Sequence, residues 1–378
     1  MLQSQQEKLL HLERYPPAQV NRSLQAWDAA DEFIVNYIND NNWVSPETSI
    51  LIFNDNFGAL ALNFLDNRVF QVSDSYVSQQ GTLHNCELNN VEHKQLAQLT
   101  SLDELPDDVD LILFKIPKSK QYLTEQLARI SKKYGNNVKF IAADKAKQIQ
   151  KSTLTLFEQF LGKTTTSLAV KKARLVFCEL NNTSSAKQIN PTLSWTVESP
   201  KLVLHNLANV FAREKLDIGG RFFIEHLPEL SNVQHVIDLG CGNGIVGLSV
   251  LAAKFNNHIT FVDESFMAVE SARMNVVHNF SSVESHCEFK ADDCLTSFDD
   301  HSADVILCNP PFHQQNAVTD HIAWQMFKDS YRVLRKGGEL RIVGNRQLGY
   351  HVKLQRLFGN CKTIASNSKF VILSAIKK

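Results

Sequence analysis

Length, composition and charge exclude several classes of protein. The chain has 378 residues, of which 43% are hydrophobic, and at about 100–200 residues per domain this length predicts two packed domains. With 39 Lys and Arg against 40 Asp and Glu the formal net charge is -1. The whole chain is therefore not a polycation held to nucleic acid by bulk charge, and any basic surface must be local.

The cysteines and the N-terminal region indicate a cytoplasmic protein. The 7 cysteines are odd in number and form no C-x-x-C pair, which indicates reduced thiols. Residues 1–15 are polar and charged, without the apolar segment of a secretory signal, and no later stretch approaches the ~18 uncharged apolar residues of a membrane helix. We expect a monomer with neither a metal site nor a membrane segment.

The first half of the chain has a faint α/β order. Its predicted elements are a strand, a glycine-containing turn, a short helix, a strand with an acid after it, and a later strand closing on proline: Ser49–Phe53, 54–58, Ala59–Leu65, Val69–Val72, Asp74, Leu111–Ile116 and Pro117.

The second half repeats that order more clearly. A polar run ending in proline predicts a linker at 181–192, between domains at 1–180 and 193–378. Beyond it, apolar β-type runs alternate with helical stretches: Val233–Leu239, Ile245–Phe255, His258–Val262, Ser265–Asn275, Ser285–Phe289, Ala303–Leu307, His321–Leu334, Glu339–Val343, His351–Phe358 and Lys369–Ile376. This alternation predicts a parallel sheet covered by helices on both faces. The fainter first copy indicates an old duplication in which one copy lost its ligand-binding residues.

A glycine loop carries the strongest chemical signal. Between a predicted strand and a predicted helix, Gly240, Gly242 and Gly244 occupy alternate positions. Glycine allows backbone amides to approach a ligand closely and adopts positive φ without steric conflict, and the helix N-terminus behind the loop favours an anionic group. Asp263 ends the next strand, where a carboxylate can accept hydrogen bonds from two ribose hydroxyls. The pattern predicts a site for an adenosine-containing cofactor.

Two cofactors fit this loop. Residues 242–247 also match G-x-G-x-x-G with an acid at dinucleotide spacing, which is typical of NAD sites. Asp238 favours S-adenosylmethionine, because a carboxylate in the strand end repels pyrophosphate but attracts the amino group of methionine. Asp292 follows the next strand and is predicted to accept from the adenine amino group. The alternatives are that Asp238 only caps the loop and that Asp292 is an ordinary solvated residue.

A second motif, Asn309-Pro310-Pro311-Phe312, follows an apolar strand. The prolines pin the backbone and remove two amide donors, which leaves carbonyl acceptors beside the Asn309 side-chain oxygen. Such acceptors can hold both hydrogens of a ring-bound amine and direct its lone pair towards a methyl donor. Phe312 is predicted to stack on the target ring, and a base in a duplex must first leave its stack. A merely rigid exit from the strand is the alternative.

Together these residues resemble a known family, the bacterial tandem-domain ribosomal RNA guanine-N2 methyltransferases. The resemblance is carried by 238–244, Asp263, 309–312 and the late segment 338–346. Two further segments are similar to the large-subunit members of that group: 24–32 and 348–353.

The resemblance implies two tandem class I, Rossmann-like methyltransferase domains, the first degenerate and used for RNA binding or folding support. It implies methyl transfer from S-adenosylmethionine to N2 of one guanine in 23S rRNA. The cofactor would be held by Asp238, Gly240, Gly242, Gly244 and Asp263, with Asp292 as the predicted adenine contact. The guanine would be held by Asn309, Pro310 and Phe312. Segment 209–221 matches the family's cover over the methionine pocket, with a plain connecting loop as the alternative.

A locally basic run ends the first domain and would suit phosphate contacts, although a solvated helix face explains it equally well. Its members are Lys145, Lys147, Lys151, Lys163, Lys171, Lys172 and Arg174.

Different functions also fit parts of this pattern. A protein glutamine N5 methyltransferase needs an Asn-Pro-Pro-aromatic clamp too, but the aromatic here is Phe and the first domain does not look like a peptide-binding helical module. A small-subunit (16S) rRNA guanine-N2 methyltransferase, an RNA-binding factor without turnover and an NAD-dependent reductase also compete with the large-subunit interpretation.

Overall fold

The structure is a computed structural model that describes residues 2–3, 9–17, 25–92, 94–181, 189–255, 257–311 and 317–378. Phe312 and most of the predicted linker lie outside the described residues. The chain divides into two compact units, Met1–Pro191 and Thr192–Lys378. Within the described ranges, no helix combines the length and apolar character needed to cross a bilayer.

The first unit contains nine described strands and four described α-helices. The strands are β1 (Leu2–Gln3), β2 (Leu9–Leu10), β3 (Ser49–Phe53), β4 (Arg68–Ser73), β5 (Leu96–Thr100), β6 (Leu111–Lys115), β7 (Lys139–Lys145), β8 (Thr164–Thr166) and β9 (Ala173–Cys178). The helices are α1 (Ala29–Asp40), α2 (Tyr76–Leu88), α3 (Lys120–Lys133) and α4 (Lys151–Phe160).

The second unit is built in the same way. Its described strands are β10 (Leu193–Glu198), β11 (Lys201–Asn206), β12 (His235–Leu239), β13 (His258–Asp263), β14 (Cys287–Ala291), β15 (Ala303–Cys308), β16 (Leu334–Asn345), β17 (Lys362–Ser366) and β18 (Phe370–Ile376). Its described helices are α5 (Ile218–Ile224), α6 (Ile245–Ala252), α7 (Phe266–Phe280), α8 (Ala317–Val333) and α9 (Tyr350–Phe358).

Each unit has a seven-stranded sheet with the same strand order. The orders are β5-β4-β3-β6-β7-β9-β8 and β14-β13-β12-β15-β16-β18-β17. The central strands are buried on both faces: every residue of β3 is buried, as are four of the five residues of β12. Burial of both faces explains why these strands are continuous apolar runs. The shared order confirms the predicted fold class of two tandem methyltransferase-like α/β domains.

The prediction of a parallel sheet was wrong at one edge. Strand β18 runs antiparallel to β16 and to β17, because β17 and β18 form a hairpin instead of being joined by a crossover helix. The antiparallel pair β10–β11 was not predicted either, although Leu193, Trp195 and Val197 alternate with polar residues before its turn. In the first unit the predicted helix Ala59–Leu65 is a 3₁₀ turn, Ala61–Asn63.

Candidate active site

Strand register brings the predicted site residues of the second unit to one edge of the sheet. Leu239 pairs with Val262 on one side and with Cys308 on the other, and Asp263 pairs with Ala291. The next residues therefore leave the carboxyl ends of adjacent parallel strands, where α/β sheets bind their ligands.

The glycine loop is held in shape by the neighbouring strand and by its own backbone. The amides of Gly240 and Cys241 donate to the Val262 carbonyl at 2.8 and 3.0 Å. Gly240, Gly242 and Gly244 have φ values of 72°, 54° and 82°, a region that side chains strongly disfavour. A Cβ on Gly242 would meet no atom within 4 Å. The loop thus leaves open space where a cofactor can approach its backbone.

Asp238 lies beneath this loop and is only 1% exposed. Its Oδ2 accepts a hydrogen bond from the amide of Gly247 in helix α6 at 2.8 Å. Burial raises the pKa of Asp238 to about 7; the Gly247 hydrogen bond opposes the rise and the Asp263 carboxylate adds to it. A buried carboxylate of this kind is stabilised as an anion by any cation that reaches it.

Asp263 ends β13 and is half-buried at the mouth of the loop. Its Oδ2 accepts from the amide of Gly242 at 2.9 Å, and its Oδ1 accepts from the amide of Ser265 at 3.0 Å. Both oxygens are thereby fixed in direction. Each ionised oxygen can accept more than one hydrogen bond, so both can also receive hydroxyl groups.

Asp292 is buried and acts as a local cap. Its Oδ2 accepts from the amide and the hydroxyl of Ser297 at 3.0 and 2.6 Å, and its Oδ1 accepts from the amide of Asp293 at 2.8 Å. The residue is 2% exposed and so is not a solvated loop residue. It sits at the same edge as Asp263, because the Asp292 amide donates to the Asp263 carbonyl at 3.1 Å.

Asn309 presents an acceptor that the described residues leave unused. Its Oδ1 is buried and receives no hydrogen bond from any described residue. A buried oxygen of this kind costs about 1–3 kcal/mol, which makes it a candidate ligand contact. The main-chain oxygen of Asn309 lies 3.5 Å from the position that a Cβ of Gly240 would take. Pro310 is buried directly behind it and Pro311 is half-buried.

The segment after β11 and the start of α5 carry one exposed apolar side chain each. Phe211 is 60% exposed and Ile218, the first residue of α5, is 63% exposed. The backbone is nevertheless anchored, because the Trp195 indole donates to the Arg213 carbonyl at 2.8 Å and the Arg213 guanidinium donates to the Leu207 carbonyl at 3.1 Å. The segment is thus an anchored turn that exposes Phe211 beside the charged residues Glu214 and Lys215.

Three buried asparagines were not predicted as part of the site. The Nδ2 of Asn243, in the glycine loop, donates to Oδ1 of Asn206 at 2.8 Å, and the Nδ2 of Asn275 donates to the Asn243 carbonyl at 2.9 Å. A comparison of the two halves of the sequence could have found one of them, since Asn275 and Asn279 in α7 match Asn85 and Asn89 in α2.

The equivalent edge of the first unit is filled by the chain's own side chains. Lys115 follows Phe114, which pairs with Phe53 as Cys308 pairs with Leu239, so Lys115 occupies the position of Asn309. Its ammonium group binds Asp28 at 2.7 Å and Asp31 at 2.6 Å. The loop 54–58 retains only one of the three alternating glycines. This edge lacks the features of a cofactor site.

Comparisons with known proteins agree with this description. Residues 1–182 match the family model described as the RLMG N-terminal domain, and residues 201–374 match the methyltransferase small domain. A solved structure of a T. thermophilus 16S rRNA N2 methyltransferase in complex with AdoMet and guanosine has a TM-score of 0.73 with 18% identity, covering 89% of this chain and 90% of that one. The second unit is an S-adenosylmethionine-dependent methyltransferase domain.

Curated relatives are similar over nearly the full length. Those named ribosomal RNA large subunit methyltransferase G are 54% identical in Colwellia psychrerythraea and 50% identical in Vibrio vulnificus, each covering 98% of this chain and 98% of the relative. One from Pseudoalteromonas translucida is 49% identical over 98% of this chain and 97% of its own. The chain belongs to the ribosomal RNA large subunit methyltransferase G family.

Proposed function

We propose that the second unit transfers a methyl group from S-adenosylmethionine to the exocyclic N2 of a guanine in 23S rRNA. The observation that carries this proposal is the buried, unused Oδ1 of Asn309 at the edge shared with the glycine loop. The names of the relatives, which refer to the large ribosomal subunit, support the choice of RNA.

The cofactor is proposed to lie along the loop that begins at Gly240, where it supplies an activated methyl group on a cationic sulfur. Asp263 would accept from the ribose hydroxyls with oxygens already directed by Gly242 and Ser265. The Oδ1 of Asp238, which no described residue engages, would attract the methionine amino group. Asp292 follows the neighbouring strand and would accept from the adenine amino group through a carboxylate that Ser297 and Asp293 already hold in place.

Asn309 and Pro310 are proposed to hold the guanine amine. Conjugation with the ring makes this amine a poor nucleophile, and two acceptors on its hydrogens, the Asn309 Oδ1 and the Pro310 carbonyl, direct its lone pair at the methyl group. The N–CH3 bond would form as the S–CH3 bond breaks, with S-adenosylhomocysteine as the leaving group, so the positive charge passes from sulfur to the guanine nitrogen. That nitrogen then loses one proton to water, and a strong base is not needed because the methylated cation is far more acidic than the starting amine. Phe312 is proposed to stack on the base, although it lies outside the described residues.

The first unit is proposed to contact rRNA phosphates through one basic surface, defined here as Lys118, Lys120, Lys145, Lys147, Lys151 and Lys172. All six side chains are exposed, and none lies within 4 Å of a carboxylate of a described residue. Two hydrogen bonds join the segments that carry them: the Ala146 amide donates to the Lys172 carbonyl at 2.7 Å, and the Lys120 ammonium group donates to the Ser152 hydroxyl at 2.9 Å. The surface is local, as the net charge of -1 requires.

Nucleoside analysis tests the target. The purified protein is incubated with labelled S-adenosylmethionine and either 23S rRNA, 16S rRNA or translation factors, and the labelled product is digested and identified. N2-methylguanosine from 23S rRNA alone is the expected product. Label on glutamine, on 16S rRNA or on another nucleoside would contradict the proposal. The same position should lack its methyl group in rRNA from cells without the protein.

Salt dependence tests the basic surface. The triple variant Lys147→Gln, Lys151→Gln, Lys172→Gln should reduce the slope of log affinity for rRNA against log salt by about 2–3, because each lost phosphate contact removes about 0.7–0.9. The control triple variant Lys132→Gln, Lys336→Gln, Lys362→Gln removes the same charge from other exposed positions. Equal slopes for the two variants would contradict the assignment.

A further inference from the structure

Helix α7 holds strand β11 through asparagine side chains one helical turn apart. Asn275 accepts from the His205 amide at 2.6 Å and donates to the His205 carbonyl at 3.0 Å. Asn279 does the same with Val203, at 3.0 and 2.8 Å. Four helical residues rise about 6.0 Å and two strand residues about 6.6 Å, so the two spacings match. The edge of β11 is therefore paired with a helix.

The same helix also holds the glycine loop. The second hydrogen of the Asn275 amide goes to the Asn243 carbonyl at 2.9 Å, and the Asn243 side chain returns to Asn206 at the end of β11 at 2.8 Å. Asn206 and Asn275 are fully buried and Asn243 is 4% exposed. One rung beyond, the Leu207 amide donates to Ser271 at 3.1 Å. The loop, β11 and the start of the segment after it are thus joined by one buried amide network.

The first unit contains a partial copy of this network. Asn85 accepts from the Glu13 amide at 2.8 Å and donates to the carbonyls of Glu13 and Phe57 at 2.9 and 2.8 Å. The side-chain link corresponding to Asn206–Asn243 is absent among the described residues, and Arg14 instead stacks over the Phe57 ring at 5.1 Å. The asparagine on the helix therefore serves the fold in both units. Only in the second does it also join a glycine loop.

We infer that Asn275 is a positioning residue for cofactor binding, through which the glycine loop and residues 203–207 respond to the cofactor as one body. This inference rests on the proposed placement of the cofactor along the glycine loop. Loss of Asn275 removes the hydrogen bonds that tie helix α7 to the glycine loop and to His205. The Asn243–Asn206 contact then holds the loop to β11 without support from the helix, so the bound geometry of the loop is no longer prepared in advance.

Calorimetry with S-adenosylhomocysteine tests this inference in the full-length protein. Asn275→Ala should raise Kd about tenfold, since a lost buried hydrogen bond is worth this order of affinity, while kcat at saturating cofactor changes less than about threefold. Asn85→Ala is the matched control: it loses the same three hydrogen bonds in the other unit and should lower Tm but leave Kd within about twofold. Equal effects of both variants on Kd, or none from Asn275→Ala, would overturn the inference.

Hydrogen exchange supplies a second test if Asn275→Ala does not fold. In the wild type, S-adenosylhomocysteine should slow amide exchange in both segments, 240–247 and 203–207. In the variant Asn206→Ala, the ligand should still slow exchange in 240–247 but should slow exchange in 203–207 less than it does in the wild type. Unchanged protection of 203–207 in Asn206→Ala would sink the inference. The variant Asp263→Ala distinguishes failure of the proposed cofactor placement from failure of the inference about Asn275. If Asp263→Ala leaves Kd unchanged, the cofactor placement is wrong. If Asp263→Ala raises Kd but Asn275→Ala does not, only the role of Asn275 is refuted.

Discussion

The two units place different side chains on the same backbone framework. Strand register aligns Asn54 with Gly240, Ser73 with Asp263 and Lys115 with Asn309. Where the second unit has an open glycine loop and Asn309 after the next strand, the first has a closed ion pair between Lys115 and the carboxylates of Asp28 and Asp31. The two units thus share one strand order and differ in the side chains at this edge.

Some site contacts survive in the first unit because they belong to the fold. The Ser73 hydroxyl accepts from the Ser75 amide at 3.1 Å, as Asp263 accepts from Ser265. Asp55 accepts from the Ala61 amide at 2.8 Å, as Asp238 accepts from Gly247. A buried carboxylate thus accepts from the amide at the same register position in both units, although Asp55 lies within the loop 54–58 and Asp238 lies in strand β12.

The largest expected effect comes from breaking the ion pair of Lys115 in the first unit. Lys115→Met leaves Asp28 and Asp31 without their cation, and a broken buried pair costs about 3–5 kcal/mol of unfolding free energy. Urea unfolding of the full chain measures it, and methyl transfer should persist at a temperature where the variant is folded. Lys132→Met, at an exposed lysine, is the control. An unchanged free energy of unfolding would show that the ion pair does not stabilise this edge of the first unit.

The next largest effect is expected from removal of the proposed amine acceptor. Asn309→Ala should lower kcat by about 10²–10³, the scale of one electrostatic contact made in the transition state, and should leave Kd for S-adenosylmethionine within about twofold. Asn309→Asp retains an acceptor oxygen and should lose less activity. Single-turnover methylation of 23S rRNA measures both variants. Full turnover by Asn309→Ala would show that the Asn309 side chain is not the acceptor for the guanine amine.

A smaller effect is expected from the ribose contact. Asp263→Ala should raise Kd for S-adenosylmethionine about 10–100-fold, since hydrogen bonds to a charged group are worth about 1.5–3 kcal/mol each. Ser73→Ala, at the same register position of the first unit, should leave Kd unchanged. Titration calorimetry measures both, and a comparable change in the two variants would contradict the assignment of the cofactor to the second unit alone.

The smallest effect is on pH dependence. The raised pKa of Asp238, about 7, means that the carboxyl is protonated as pH falls below 7, and an ammonium ligand favours its ionised form. Binding then releases a proton, so affinity should fall about tenfold at most per pH unit as pH drops from 8 to 6. Asp238→Asn should flatten this profile, whereas Asp55→Asn, whose parent carboxyl also has a pKa of about 7, should not.

Sequence patterns predicted the parts of the molecule that depend on local chemistry. The glycine loop, the place of Asp263 at a strand end and six of the seven strands of the second sheet follow from periodicity and from residues that tolerate positive φ, whereas β17 was not predicted. The network of Asn206, Asn243 and Asn275 was not predicted, because it joins side chains to backbone groups up to 70 residues away. The hydrogen bonds from Ser297 to Asp292 were not predicted either, because they depend on how the turn between these two residues folds.

Gly240 in the loop and Gly247 in helix α6 are required for two separate reasons, and this limits which substitutions the two positions accept. Gly240 is needed for chain handedness, and Asn54 shows that asparagine can adopt the same left-handed backbone, at φ 62°. Gly247 is needed for volume, since a Cβ there would lie 2.3 Å from the ring of Phe261. The first unit has alanine at the latter place and Gln71 instead of phenylalanine. Replacement of Gly247 therefore calls for a second, compensating substitution on the neighbouring strand, whereas Gly240 can be replaced by asparagine in a single substitution.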